Sequence, residues 1–374
     1  MNQSLFRWWL TRSLLCAVVF AASFYLPGVA AVSAVDSNSA YSAAGLMACE
    51  PEFDRYGQYD LGVQSSVAAH PSGLVVECHK AQWSEEIWYR IGELGVERIS
   101  WGESRKLDDT GYWPAVAISK EGYVIVVHSD RAAKNMAQLF YKVGKVDPNG
   151  DENQPIAWLT GSKNWDRGFH SSIAINDNGV IVGVHETGHD STGLYYRVGR
   201  LLNPAGGDYG IQWDSGPWGI HYDEGINPHI AINNNNEVVQ VHQVPGESLL
   251  HYRRGVVNGG TIIFEPSRRY DNNAEQPAVA LLDNGVVLEV HCLDGLFRRM
   301  GMLSRSNAEE IDWAEPVKLY DSSDMDYPAL AAAKQTYNTY AVQTHHVRPP
   351  MVIWDSQLHF STALLWDCEG ATTK

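Results

Sequence analysis

The chain has 374 residues, of which 44% are apolar and 19% charged, with 28 Lys and Arg against 44 Asp and Glu, a net charge of −16 at pH 7. Such an acidic surface repels phosphate backbones and anionic lipid, so a nucleic-acid partner is not expected. The 13 tryptophans, 33 glycines and recurrent Asn-Gly turns, with no sustained helical period, predict an all-β chain.

Residues 1–34 carry Arg7 and Arg12 ahead of an apolar run and end in Val32-Ser33-Ala34, the pattern of a secretory signal peptide. The Pro27-Gly28 break favours cleavage over a retained anchor. The protein is therefore expected to be secreted or periplasmic, with no membrane insertion once the signal is removed. Cleavage removes Arg7 and Arg12 and no acidic residue, leaving 26 basic against 44 acidic side chains, or −18. Residues 35–46, rich in Ser and Ala, read as a flexible leader.

From residue 47 to 374 one pattern recurs six times. The copies are "QSSVAAHPSGLVVECH" ending at His79, "WPAVAISKEGYVIVVH" at His128, "HSSIAINDNGVIVGVH" at His185, "NPHIAINNNNEVVQVH" at His242 and "QPAVALLDNGVVLEVH" at His291. The sixth, "YPALAAAKQTYNTYAVQTH" at His345, is a stretched version. Successive histidines stand 49, 57, 57, 49 and 54 residues apart. A period near 50 that holds several short strands predicts a six-bladed β-propeller with four-stranded blades.

Within each unit an apolar strand and an Asn/Asp/Gly turn lead into the strand that ends in His. A third strand follows, such as "LYYRVG" (194–199), then a fourth centred on Trp101, Trp158, Trp213, Phe264 or Trp313. The fourth strands run into Asp109, Asp166, Asp223, Asp271 and Asp321, with Asp60 ahead of the first unit. Gly62, Gly111, Gly168 and Gly225 follow two residues after an aspartate and are expected to allow a sharp turn. The last unit, with "TALLWDCEG" as its third strand, lacks a fourth. "CEPEFDRYGQYD" places Phe53 seven residues before Asp60, the interval from Phe264 to Asp271, and is expected to supply the missing outer strand and close the ring.

The unit "YDxGxxPxVAIxxNGxVVEVH…LYYRVG…IxW" resembles propeller repeats of secreted, mostly bacterial proteins, some joined to phospholipase C-like domains, and its layout is similar to that of lectin propellers. The likeness covers about residues 47–370 and implies the fold more than any activity.

Propeller topology places the end of each second strand and the start of the next inner strand on one face. His79, His128, His185, His242, His291 and His345, with Asp60, Asp109, Asp166, Asp223, Asp271 and Asp321, are thus expected to form a rim. Three roles compete for it: hydrogen-bonded filling between blades, glycan recognition with nearby aromatic rings, or a metal centre. The reading adopted is a lectin-like protein, probing glycans or cell-surface glycoconjugates as a monomer. The competing reading is a secreted enzyme, metal-dependent or hydrolytic, that works in the central channel. No metal and no cofactor are assigned. Calcium on the acidic loop Asp147–Gln154, or a transition metal among the histidines, is the alternative. No nucleophile elbow or phosphate-binding loop is present, and "HETGH" (185–189) falls at a strand end, not on a helix.

Of the four cysteines past the signal, Cys49 and Cys368 are expected to form a disulfide, because the closure scheme sets the outer strand beside the third strand of blade six. Cys78 and Cys292 fall in blades that are not adjacent and are expected to be unpaired.

Overall fold

The structure, a computed structural model, describes residues 53–365 except 96–97, 132–136, 147–154, 188–191, 203–206, 208, 322–323, 335–338 and 348–355. The signal segment, the leader, Cys49, Cys368 and the loop Asp147–Gln154 lie outside the described residues.

Six antiparallel sheets form the blades of a propeller. Blade four shows the plan: inner strand Ile226–Ile232, second strand Glu237–Gln243, third strand Leu250–Asn258, and an outer strand in two pieces, Thr261–Phe264 and Arg268–Asp271. Both pieces pair with the third strand. The outer strand is likewise divided in blades one, two, three and five, so the aromatic residue of each repeat sits on the first piece and Asp108, Asp166, Asp223 and Asp271 on the second.

Blade six is closed from the other end of the chain. Phe53–Leu61 pairs antiparallel with Gln357–Leu365, the third strand of the sheet whose first two strands are Met325–Lys334 and Thr339–Val347. The expected closure therefore holds, although the third strand starts at Gln357 rather than in "TALLWDCEG", and the outer strand runs from Phe53 without the break found in the other blades.

The second strands are buried along almost their whole length, Val180–Glu186 at every position, because each blade is covered on both faces by its neighbours. Six apolar clusters follow from this, each bridging two adjacent blades. Val184 and Val198 of blade three pack with Ile230 and Val238 of blade four, and Tyr59 and Phe360 of blade six with Val67 and Ile99 of blade one. Cys78 and Cys292 are buried, free thiols in two of these clusters, as their separation predicted.

Candidate functional site

The repeated histidines lie between blades, each with at most 3% of its surface exposed. Their aspartate partners come from the preceding blade. Asp60 Oδ2 lies 3.8 Å from His79 Nε2, Asp166 3.3 Å from His185, and Asp223 3.9 Å from His242. Asp60 and Asp223 also hold cations of the next blade's third strand, Arg90 Nε at 2.9 Å and Arg253 at 3.6 Å, and Asp271 holds Arg299 at 3.3 Å in the same way. Arg90, Arg197, Arg253 and Arg299 also donate to backbone carbonyls of the preceding outer strand. Each aspartate is thus a clasp from one blade to the next.

Two expected members are elsewhere. From blade one to blade two the clasp is Asp108, 3.7 Å from His128 and 3.3 Å from Lys142, while Asp109 points outward to Lys106. The imidazole of His128 beside it, then the hydrogen bond from Ser162 and the charge of Lys142, hold Asp108 well below the usual carboxylate range. Asp321 is 88% exposed and pairs with Lys318. His345 instead meets Gln343 and the ring of His359, and Ser361 fills the place across from Gln343 that a cation fills elsewhere.

The surroundings move His242 and His345 in one direction and His79 in the other. Burial lowers His242 to about 4 and His345 to about 3, the neighbouring His359 and His346 adding to the latter. His79 is also pulled down by burial, but the Glu77 carboxylate outweighs this and its pKa is raised.

The glycines after the aspartates have a role different from the expected turn, for none of the four has a positive φ. A Cβ on Gly62 would stand 2.6 Å from His79 Cδ2, on Gly111 2.8 Å from His128 Nδ1, on Gly168 2.2 Å from His185 Nδ1, and on Gly225 2.6 Å from His242 Cδ2. The imidazole occupies the space a side chain would take.

A second ring lies on the same face, around the axis. The second position of each inner strand bulges (the third in blade six, whose strand starts one residue earlier), and its residue takes a left-handed backbone: Gln64 (φ 57°), Trp113 (54°), His170 (43°), Asn227 (51°), Gln276 (52°) and Tyr327 (50°). Such φ values are costly for side chains of this size. The bulge lifts each N–H out of the ladder, and among the described residues the preceding blade accepts it in four cases. Gln64 Oε1 takes Trp113 N–H (2.9 Å), Glu186 Oε1 takes that of Asn227 (2.8 Å), Gln243 Oε1 that of Gln276 (3.4 Å), and Gln276 Oε1 that of Tyr327 (2.7 Å).

All six residues line one cavity of about 100 Å³ at the channel mouth. Below it the channel is walled by Ala, Val and Ile, and it widens to about 590 Å³ among the Asn and Asp turns of the opposite face. The indole of Trp113 lies across the mouth, edge-to-face against His170 (centroids 3.9 Å apart) and Tyr327 (4.8 Å). His170 Nδ1 meets the fully buried Glu186 carboxylate at 2.6 Å. Among the described residues, three polar atoms of this lining are buried without a hydrogen-bond partner: His170 Nε2, Trp113 Nε1 and Ser171 Oγ. Among the described residues no three His, Cys, Asp or Glu converge as a metal-binding group.

Sequence reasoning passed over this ring because it sought what repeats. Its members are the first letters of the six copies, Q, W, H, N, Q and Y, a position that differs in almost every blade while its flanks recur.

No protein-family model matches the chain, and no curated protein matches it in sequence. Solved structures share its fold. A protein of unknown function from Dyadobacter fermentans is 13% identical with a TM-score of 0.54, the match covering 83% of this chain and 96% of that one. An α-L-arabinanase of Penicillium chrysogenum complexed with arabinobiose is 11% identical (TM-score 0.52; 86% and 96% covered), and the Hadza microbial sialidase Hz136 is 10% identical (0.51; 82% and 66%). At these identities the likeness is one of architecture, and this chain is a six-bladed β-propeller of four-stranded antiparallel blades.

Proposed function

We propose that this chain is an exported saccharide-binding protein whose site is the mouth of the central channel, rather than the rim between the blades. The observation that carries the reading is the ring of six left-handed residues, alike in φ (43° to 57°) and of five side-chain types. A position kept for architecture repeats its residue, as the histidines do. A position that keeps a strained backbone while varying its side chain builds an asymmetric pocket. None of the six is Asp, Glu, Lys or Arg. Aromatic faces of Trp113 and Tyr327 and the amides of Gln64, Asn227 and Gln276 suit the C–H faces and hydroxyls of a neutral sugar.

Isothermal titration with neutral mono- and oligosaccharides tests this. Trp113→Gln uses a residue that blades one and five already hold in this backbone, so folding is expected to survive while affinity falls at least tenfold. Binding kept in Trp113→Gln and lost in His242→Gln returns the site to the rim and ends this reading.

A further inference from the structure

The mouth also holds the parts of a proton-transfer site. His170 has one ring nitrogen on a buried carboxylate and the other unpartnered, the arrangement in which a carboxylate orients an imidazole base. Glu186 comes from the second strand of the same blade, directly across from Phe169, so the sheet itself sets the pair. We propose that His170 is a general base and that the pocket hydrolyses O-acyl esters of saccharides, an inference that rests on the saccharide reading of the same cavity.

The choice of reaction follows from what lines the cavity. Cleavage of a glycosidic bond needs two carboxylates about the scissile bond. No Asp or Glu is among the lining residues, and Glu186 behind them is engaged by His170 and by Asn227 N–H. Elimination from a uronic acid calls for a cation on the sugar carboxylate, and the lining holds no Lys or Arg. Acyl transfer to water needs only a base and neutral N–H donors. Trp113 Nε1–H lacks a partner, and Gln64, whose Oε1 is taken by Trp113 N–H, keeps its amide NH₂ to donate.

In the step, His170 Nε2 takes a proton from water as the water oxygen bonds to the acyl carbon. The carbonyl electron pair moves onto oxygen, where the Trp113 and Gln64 donors meet the oxyanion. Collapse breaks the bond between the acyl carbon and the sugar oxygen, and that oxygen receives the proton held by His170. The products are the free hydroxyl and a carboxylic acid, which ionises. The indole stands against the imidazole and Nε2 has no exposed surface, so substrate entry turns the indole aside.

The test measures acetate release from 4-nitrophenyl acetate and from glucose pentaacetate, with sugar affinity followed in parallel by tryptophan fluorescence. His170→Gln again uses a residue this backbone holds in two other blades. It is expected to lower the rate about 100-fold, the lower end for loss of a general base, with melting little changed. Glu186→Gln is expected to move the acid-side inflection of the pH–rate profile to lower pH, because the imidazolium loses its counter-charge. A wild-type rate equal to that of His170→Gln, with saccharide binding intact, overturns the esterase and leaves the binding reading standing. Absence of both binding and turnover removes the two together.

Discussion

At the scale of single residues, the repeat is a record of close approaches. Gly225 persists because the ring of His242 rests where its side chain would be, and a Cβ on the glycine that follows the third-strand motif, such as Gly199 or Gly301, would stand 3.0 or 2.8 Å from the indole of Trp213 or Trp313. Gly225→Ala is therefore expected to destabilise the fold by about 1–3 kcal/mol through overpacking. Gly161→Ala, whose Cβ meets nothing within 4 Å, is expected to be near neutral. Equal melting temperatures for the two variants would show that the imidazole yields freely. Where the glycine is absent, the pattern adapts: Ala274 takes the place before the inner strand of blade five and is fully buried.

At the scale of the element, the outer strand determines how blades join. The residue before four of the five clasp aspartates stacks on the aromatic of the next blade: Tyr59 on Trp101 (5.0 Å), Trp165 on Trp213 (5.0 Å), Tyr222 on Phe264 (4.9 Å), Tyr270 on Trp313 (5.0 Å), while Leu107 before Asp108 packs with Trp158 in an apolar cluster. Phe53–Leu61 carries this joint between blades six and one and also covers an edge, so its removal has two costs. Deleting 53–61 uncovers the edge of Gln357–Leu365 and leaves Arg90 and His79 without Asp60. The expected result is self-association and loss of a single cooperative melt, read by light scattering and calorimetry. A truncated chain that stays monomeric and melts as before would show that closure does not depend on this strand. Much of this was legible in the sequence, since Asp60 and Phe53 keep the spacing of an outer strand. The split of the outer strand and the choice of Asp108 over Asp109 were not, because two adjacent aspartates are equivalent until a register places one of them against His128.

At the scale of the whole molecule, charge burial sets the response to acid. His229, held at about 4 by burial, joins His242 at about 4 and His345 at about 3. Each is neutral in the folded chain and takes a proton near 6.5 when unfolded. Between these values the unfolded state binds more protons, so stability falls as pH drops from about 6.5 towards 4, by about 1.4 kcal/mol per pH unit for each histidine. His79 works in the other sense. Its pKa is raised, so its contribution is complete below about 6.5 and is lost as pH rises through the folded value. Melting temperature is thus expected to decline steeply between pH 6.5 and 4.5, less so in His345→Gln. A flat profile over this range would mean that these imidazoles titrate normally in the fold.

The six-fold period, the four-strand unit and the closure of blade six were settled by the sequence alone, because each blade must present the same apolar faces to its neighbours and so repeats the same residues. Tertiary structure alone decided what the histidines face and where the channel opens into a cavity. Burial between blades turns a row of polar side chains into clasps, a fate set by partners from a different repeat. Bulges on six strands gather Gln64, Trp113, His170, Asn227, Gln276 and Tyr327, spread over more than 260 residues of chain, around one axis. Their differences carry no periodic signal, and only the closed ring makes them neighbours.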